Sequence, residues 1–209
     1  MLYSDISIDS SQSNYIIILR ECYDKIFNKI ISNNGEIKFS GYEFNNHIGD
    51  ITKDIRWTWA TNKKSMRLFE NCVKKLKPDI NRLFGNNFTI FGASFITLYV
   101  NEVKNSDFHI DVNSFYDVKT PNILTLIFPL YIDEDMGGLE YKVSEKTNKY
   151  KYKKNSVFVW DACKLLHRTE PYKLSSKKKR VLVSLNLVSR EEWAIQSIRN
   201  TLKYQGNMI

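Results

Sequence analysis

The stretch SDFHIDVNSF sets His109 and Asp111 two residues apart, with the apolar Ile110 between them. In an extended chain residues i and i+2 project to the same face, so an imidazole nitrogen and a carboxylate oxygen would be presented together. Both are ligand types that Fe(II) accepts, but two ligands hold a catalytic metal poorly. A 2-His-1-carboxylate site needs a second histidine from another strand and leaves positions open for substrates. The pair alone says little: with 3 His and 12 Asp in 209 residues, an H-x-D arises by chance in roughly one such chain in six. Only His47 and His167 remain to complete a site. His47 falls in an irregular or short-stranded stretch, whereas His167 follows the aromatic run SVFVW, in ACKLLHRTEPY. His167 is the candidate third ligand, although a histidine in its position, taken singly, is more often a satisfied core residue.

The elements that would position these groups change character near residue 87. Residues 1–87 are expected to be mainly helical. In NYIIILRECYDKIFNKIIS the residues Ile18, Cys22, Ile26 and Ile30 recur every fourth position, with Asn14 placed to cap. A second helical pattern runs from about Lys63 to Phe84, with Met66, Phe69, Val73 and Leu76 on one face. Pro78 ends or bends it, and Gly85 lies beyond its last turn. Between them is an irregular or short-stranded segment with Trp57 and Trp59, read as core or lid packing rather than substrate contacts. From residue 88 to 189 come eight short runs rich in β-branched and aromatic residues, FHIDVNSF among them. Eight strands behind a helical preface predict a sandwich or barrel rather than a parallel α/β sheet. The tail from residue 190 to 209 reads as an amphipathic helix with Trp193, Ile198 and Leu202 on or near one face. With no linker and no internal repeat, residues 1–209 are expected to form a single domain.

Bulk properties narrow the function classes. The chain is 43% hydrophobic and 26% charged, a globular composition. Its longest aliphatic run, Ile16 to Leu19, is far below the roughly 20 residues of a membrane span. No basic segment precedes an apolar core at the N-terminus, so no secretory signal is read there. Three scattered cysteines, Cys22, Cys72 and Cys163, point to reduced thiols and a cytoplasmic setting. The net charge of +8 is concentrated in residues 142–180, which leaves nucleic acid open without favouring it. There KTNKYKYKKN reads as an exposed strand guarded from edge pairing by its lysines.

Thirteen residues after His167, Arg180 opens the final run RVLVSLNLV. An H-x-D, a histidine some fifty residues on, and an arginine or lysine at the head of the last strand resemble the Fe(II)/2-oxoglutarate-dependent oxygenases. FITLYVNEVKNSDFHID, NILTLIFPLYIDEDMGGLEYK and the closing YKKNSVFVWDACKLLHRTEPYKLSSKKKRVLVSLNLV are similar to the prolyl-hydroxylase-like branch. The resemblance covers residues ~88–189 and implies an α+β, mainly β fold: a double-stranded β-helix (jelly roll) core with N-terminal supporting helices and a short C-terminal helix. It implies His109, Asp111 and His167 as iron ligands and Arg180 as the partner of the far carboxylate of 2-oxoglutarate, a task that suits a guanidinium fork. Tyr99, Thr125 and Ser184 would assist with the same cosubstrate. It further implies O2 as a reactant and leaves ascorbate open. With Asp111 present rather than the small residue of halogenating relatives, hydroxylation is the expected outcome. The substrate expected is a prolyl or other amino-acid unit, free or in a peptide, with a small metabolite or nucleic-acid base as alternatives. The chain departs from the family in three ways. Lys177, Lys178 and Lys179 rival Arg180; Leu182 stands where a hydroxyl is usual; and Leu139-Glu140 follow the Gly-Gly pair. A non-catalytic jelly-roll binding module is the rival from another class.

Overall fold

In a computed structural model of the chain, the described residues are 1–8, 13–48, 55–104, 107–114, 116 and 118–204. The chain begins with strand β1 (Tyr3–Ser7) and helix α1 (Ser13–Ser32), followed by β2 (Gly35–Phe39), β3 (Tyr42–Ile48) and β4 (Ile55–Ala60). Helices α2 (Lys63–Val73) and α3 (Lys77–Phe84) come next. Then follow β5 (Thr89–Val103), β6 (Ile123–Tyr131), β7 (Leu139–Val143), β8 (Lys146–Tyr150), β9 (Ser156–Asp161), β10 (His167–Thr169) and β11 (Tyr172–Val188), with α4 (Glu192–Tyr204) last. Two antiparallel sheets result. The larger has the order β1-β9-β6-β11-β5-β4-β3-β2 and the smaller β10-β7-β8. This is the mainly β, double-stranded β-helix core with supporting helices that the sequence implies.

The helical preface is less helical than its periodicity indicates. Four strands lie within it, and β2–β4 widen the large sheet beyond β5. On α1 the buried face is Leu19, Cys22, Tyr23, Ile26 and Ile30, while Ile18 is exposed. A 3.6-residue period carries the stripe through 19, 23, 26 and 30 rather than through every fourth residue. Asn14 lies inside the first turn of α1 instead of capping it. The second pattern divides in two. Asn62 caps α2 by accepting a hydrogen bond from Ser65 N–H, and Pro78 stands in the first turn of α3, where its missing N–H costs nothing. Gly85 closes α3 with a left-handed φ of 71°.

β11 shows why one strand can serve both a core and a site. Val181, Val183, Leu185 and Leu187 belong to the core beneath the helices. Alternation turns Arg180, Leu182, Ser184 and Asn186 to the other face, toward the small sheet. All of these are buried, and each fully buried aliphatic contributes about 1.5–3 kcal/mol. α4 packs through Ala194, Ile198 and Leu202 on Val112, Ile123, Ala162 and Val188. β8 is an edge strand with exposed Lys146 and Lys149, the guarded edge that its lysines indicate. Among the described residues no helix is long and apolar enough to cross a membrane.

Candidate metal centre

Of the eight runs expected as strands, FHIDVNSF alone forms no regular strand. His109 makes a single bridge to His167, with His109 N–H donating to His167 O at 3.0 Å and His167 N–H returning a bond of 2.9 Å. The chain then turns, and the N–H groups of both Asp111 and Val112 converge on the Ala162 carbonyl at 3.1 Å. One acceptor serving two successive donors cannot continue a ladder, so the strand stops there. The bridge still anchors the H-x-D to the strand that bears the second histidine.

The ligand atoms of His109, Asp111 and His167 lie within 4.8 Å of one another. His167 Nε2 is 3.4 Å from Asp111 Oδ1. Each ring presents Nδ1 to a backbone carbonyl, His109 to Asp107 O at 3.2 Å and His167 to Leu165 O at 3.0 Å. A proton on Nδ1 leaves the Nε2 lone pair for a metal, the outer-shell pattern of metal-binding histidines. Asp111 is held in the same manner. Its Oδ2 accepts hydrogen bonds from Thr125 Oγ1 at 2.6 Å and Trp160 Nε1 at 2.9 Å, which leaves Oδ1 facing His167. His167 is buried, Asp111 half-buried and His109 exposed, so the triad is closed on one side and open on the other.

Protonation follows from this packing. Burial alone would raise the Asp111 carboxyl. The His167 ring, the Thr125 hydrogen bond and His109 outweigh burial and hold it below the usual carboxylate range. Burial alone would pull His167 down, yet the charge and hydrogen bond of Asp111, with the Leu165 carbonyl, raise it above the usual imidazole range. The pair thus favours carboxylate with imidazolium, and a divalent cation would take the place of that proton.

Arg180 is 2% exposed, and among the described residues its Nε and Nη1 make no well-formed hydrogen bond. The Tyr152 ring lies against the guanidinium, but no carboxylate of the described residues pairs with it, and a buried guanidinium in that condition favours an anion. The neighbouring lysines do not compete for the position. Lys178 pairs with Asp133 and Asp135, Lys179 with Asp24 on the helix side, and Lys177 is exposed. Ser184 shares the inner face with Arg180, opposite Ser94 on β5. A metal bound by two imidazoles and a carboxylate, together with a buried guanidinium that no carboxylate of the described residues pairs, fits Fe(II) with a dianionic cosubstrate.

Of the residues expected at the cosubstrate, Tyr99 is placed elsewhere and Thr125 is turned to Asp111. Tyr99 pairs across the sheet with Lys179, whereas Arg180 pairs with Leu98. Tyr99 is therefore on the opposite face from Arg180, 39% exposed and against the Phe27 ring at 5.6 Å. Thr125 is inside, but its hydroxyl is committed to Asp111. The sequence also left two residues unremarked. Trp160 was visible only as one letter of an aromatic strand, and its indole N–H holds Asp111. Tyr152 sat in what read as a lysine-guarded edge; its ring lies 5.3 Å from the Arg180 guanidinium, and among the described residues its buried hydroxyl makes no well-formed hydrogen bond. Trp59 is core, and Trp57 is partly buried beside it.

The sequence matches no protein-family model and no curated protein. Solved structures do match. A Pseudomonas putida prolyl-4-hydroxylase superposes with a TM-score of 0.56 at 11% identity, covering 90% of this chain and 93% of that one. A viral collagen prolyl hydroxylase from Paramecium bursaria Chlorella virus-1, in a 2-oxoglutarate complex, gives 0.55 at 14% identity over 91% and 97%. HygX from Streptomyces hygroscopicus, with nickel, 2-oxoglutarate and hygromycin B bound, gives 0.51 at 10% over 90% and 83%. At these identities the likeness establishes the fold, across nearly the whole length of each chain.

Proposed function

We propose that this protein is an Fe(II)- and 2-oxoglutarate-dependent dioxygenase that hydroxylates an unactivated C–H bond. The observation that carries this is the convergence of His109, Asp111 and His167 to within 4.8 Å, with both rings oriented by backbone carbonyls. The buried Arg180, which no carboxylate of the described residues pairs, argues against a binding module with an incidental His-Asp pair. Two of the similar structures were solved with 2-oxoglutarate, one of them with nickel as well.

The residues divide the work. His109 Nε2, Asp111 Oδ1 and His167 Nε2 would hold the iron. Arg180 would bind the far carboxylate of the cosubstrate through its fork, with the Ser184 hydroxyl on the same strand face. Thr125 and Trp160 fix the Asp111 carboxylate, keeping one oxygen for the metal and denying it rotation. Trp160, Leu165 and Leu182 form an apolar wall that keeps water from the buried side. The exposed side of His109 leaves the approach for substrate. Iron, 2-oxoglutarate and O2 together supply the oxidising power that exchanges a C–H hydrogen for hydroxyl.

The substrate is an amino-acid or prolyl unit, free or in a peptide, or a small molecule. Similarity to prolyl hydroxylases supports the first, and similarity to HygX, which holds hygromycin B, supports the second. A screen of 2-oxoglutarate turnover to succinate, across amino acids, peptides and small polyols, separates them. The catalytic reading itself is tested by His167→Ala. Succinate formation is expected to vanish, and wild-type turnover in that variant would remove the ligand assignment.

A further inference from the structure

Tyr152 lies two residues beyond the end of β8, in the space between the two sheets. Its ring meets Tyr150 edge-on at 5.6 Å, and Tyr150 stacks on Phe158 at 4.3 Å. Phe158 in turn contacts Trp160, and Trp160 contacts His167 at 5.0 Å and donates to Asp111. One aromatic series therefore runs from Tyr152 to the triad. At its other end the Tyr152 ring stands 5.3 Å from the Arg180 guanidinium. Among the described residues neither its buried hydroxyl nor Arg180 Nε and Nη1 makes a well-formed hydrogen bond, although phenol and guanidinium are close enough to influence one another. The phenol oxygen can itself accept from the Arg180 guanidinium, which leaves the phenol O–H and the remaining buried N–H of Arg180 still in want of an acceptor, and an anion would serve both.

We propose that Tyr152 donates its hydroxyl to the far carboxylate of the cosubstrate alongside Arg180, in the role that the sequence pattern gives to Tyr99. This rests on the dioxygenase reading and adds the second residue that recognises the dicarboxylate. Tyr99 cannot act there, because strand alternation puts it on the other face of the sheet from Arg180. The Tyr152 phenol is also suited to donate. Burial raises its pKa more than nearby Arg180 lowers it, so it keeps its proton at neutral pH.

The test is calorimetric titration of 2-oxoglutarate into Mn(II)-loaded protein, with no turnover required. Tyr152→Phe is expected to weaken 2-oxoglutarate binding by about 10- to 100-fold, the loss of a hydrogen bond to a charged group, while Mn(II) affinity stays at the wild-type value. Tyr99→Phe is expected to bind 2-oxoglutarate as the wild type does. The monocarboxylate 2-oxopentanoate, of equal length but without the far carboxylate, is expected to bind wild type and Tyr152→Phe alike. Unchanged 2-oxoglutarate affinity in Tyr152→Phe overturns the proposal. So does an equal loss for 2-oxopentanoate, which would mark a structural role. If wild-type protein holds Mn(II) but no 2-oxoglutarate, the dioxygenase reading itself fails. A Tyr152 result at odds with intact wild-type binding leaves that reading in place.

Discussion

Replacing Thr125 with valine removes one hydroxyl from the interior and keeps the β-branched shape that β6 requires at a position 4% exposed. That hydroxyl donates to Asp111 Oδ2 at 2.6 Å, a charge-assisted bond of the kind that contributes about 1.5–3 kcal/mol. Trp160 Nε1 still holds the same oxygen at 2.9 Å, so the carboxylate loses one of two restraints. Outer-shell changes at metal sites lower affinity by about 10- to 100-fold, and with one donor remaining the lower end is expected, about tenfold. Anaerobic calorimetry with Fe(II), or with Mn(II) in air, measures it directly. The melting temperature of the metal-free variant serves as the control for folding. Thr125→Val with Trp160→Phe is expected to lose more than the product of the single effects, because in each single variant the other donor still holds the oxygen. Wild-type metal affinity in a folded Thr125→Val protein would refute the claim that Thr125 positions Asp111.

Two further outcomes follow from the geometry around the triad. Gly138 begins the approach to β7, where an added Cβ would collide with the Tyr150 carbonyl oxygen. Gly138→Ala is therefore expected to cost at least about 1–3 kcal/mol by forcing β7 and β8 apart, read as a lowered Tm with weakened metal binding through β10. A wild-type Tm would show that the small sheet is not packed this tightly. The pH dependence has a definite sign. The His167 pKa is raised in the folded metal-free protein, so its contribution is fully present below the ordinary value of 6.5 and is lost as pH rises through the raised one. The Asp111 pKa is lowered, so its contribution is present above 3.8 and lost on acidification through the lowered one. Metal-free wild type is thus expected to lose Tm relative to His167→Gln as pH climbs above 6.5, and equal slopes for the two would contradict the pairing.

How much of this was legible in the sequence depends on how local each signal is. The triad was legible because H-x-D needs only two residues to share a face, and its completing histidine was one of two available. Arg180 was singled out as the head of a last strand RVLVSLNLV, but β11 begins at Tyr172 and Arg180 stands midway along it, buried on the inner face. Its lysine rivals could be dismissed only once pairing register sent Lys179 to the helix side and gave Lys178 to Asp133 and Asp135. Tyr99 failed for the same reason: a one-residue difference in register reverses the face of a side chain. β2 to β4 read only as an irregular or short-stranded segment because polar residues such as Asn45, Asn46 and Thr58 blur their alternation. Asn46 and Thr58 are buried, satisfied by one another and by backbone carbonyls of Ile30 and Asn33. Thr125 and Trp160 meet Asp111, and Tyr152 meets Arg180, across 14, 49 and 28 residues of chain, which no local pattern encodes.

The central claim is that the three side chains hold one Fe(II) and that Arg180 brings 2-oxoglutarate to it. Anaerobic titration of Fe(II)-loaded protein with 2-oxoglutarate, followed by visible absorption, tests both parts in one experiment. The expected result is a weak metal-to-ligand charge-transfer band that saturates at one equivalent of 2-oxoglutarate, is absent in His109→Ala, and needs far more cosubstrate to appear in Arg180→Ala. Wild-type protein that takes up Fe(II) yet shows no band, or a band that persists unchanged in His109→Ala, would contradict it.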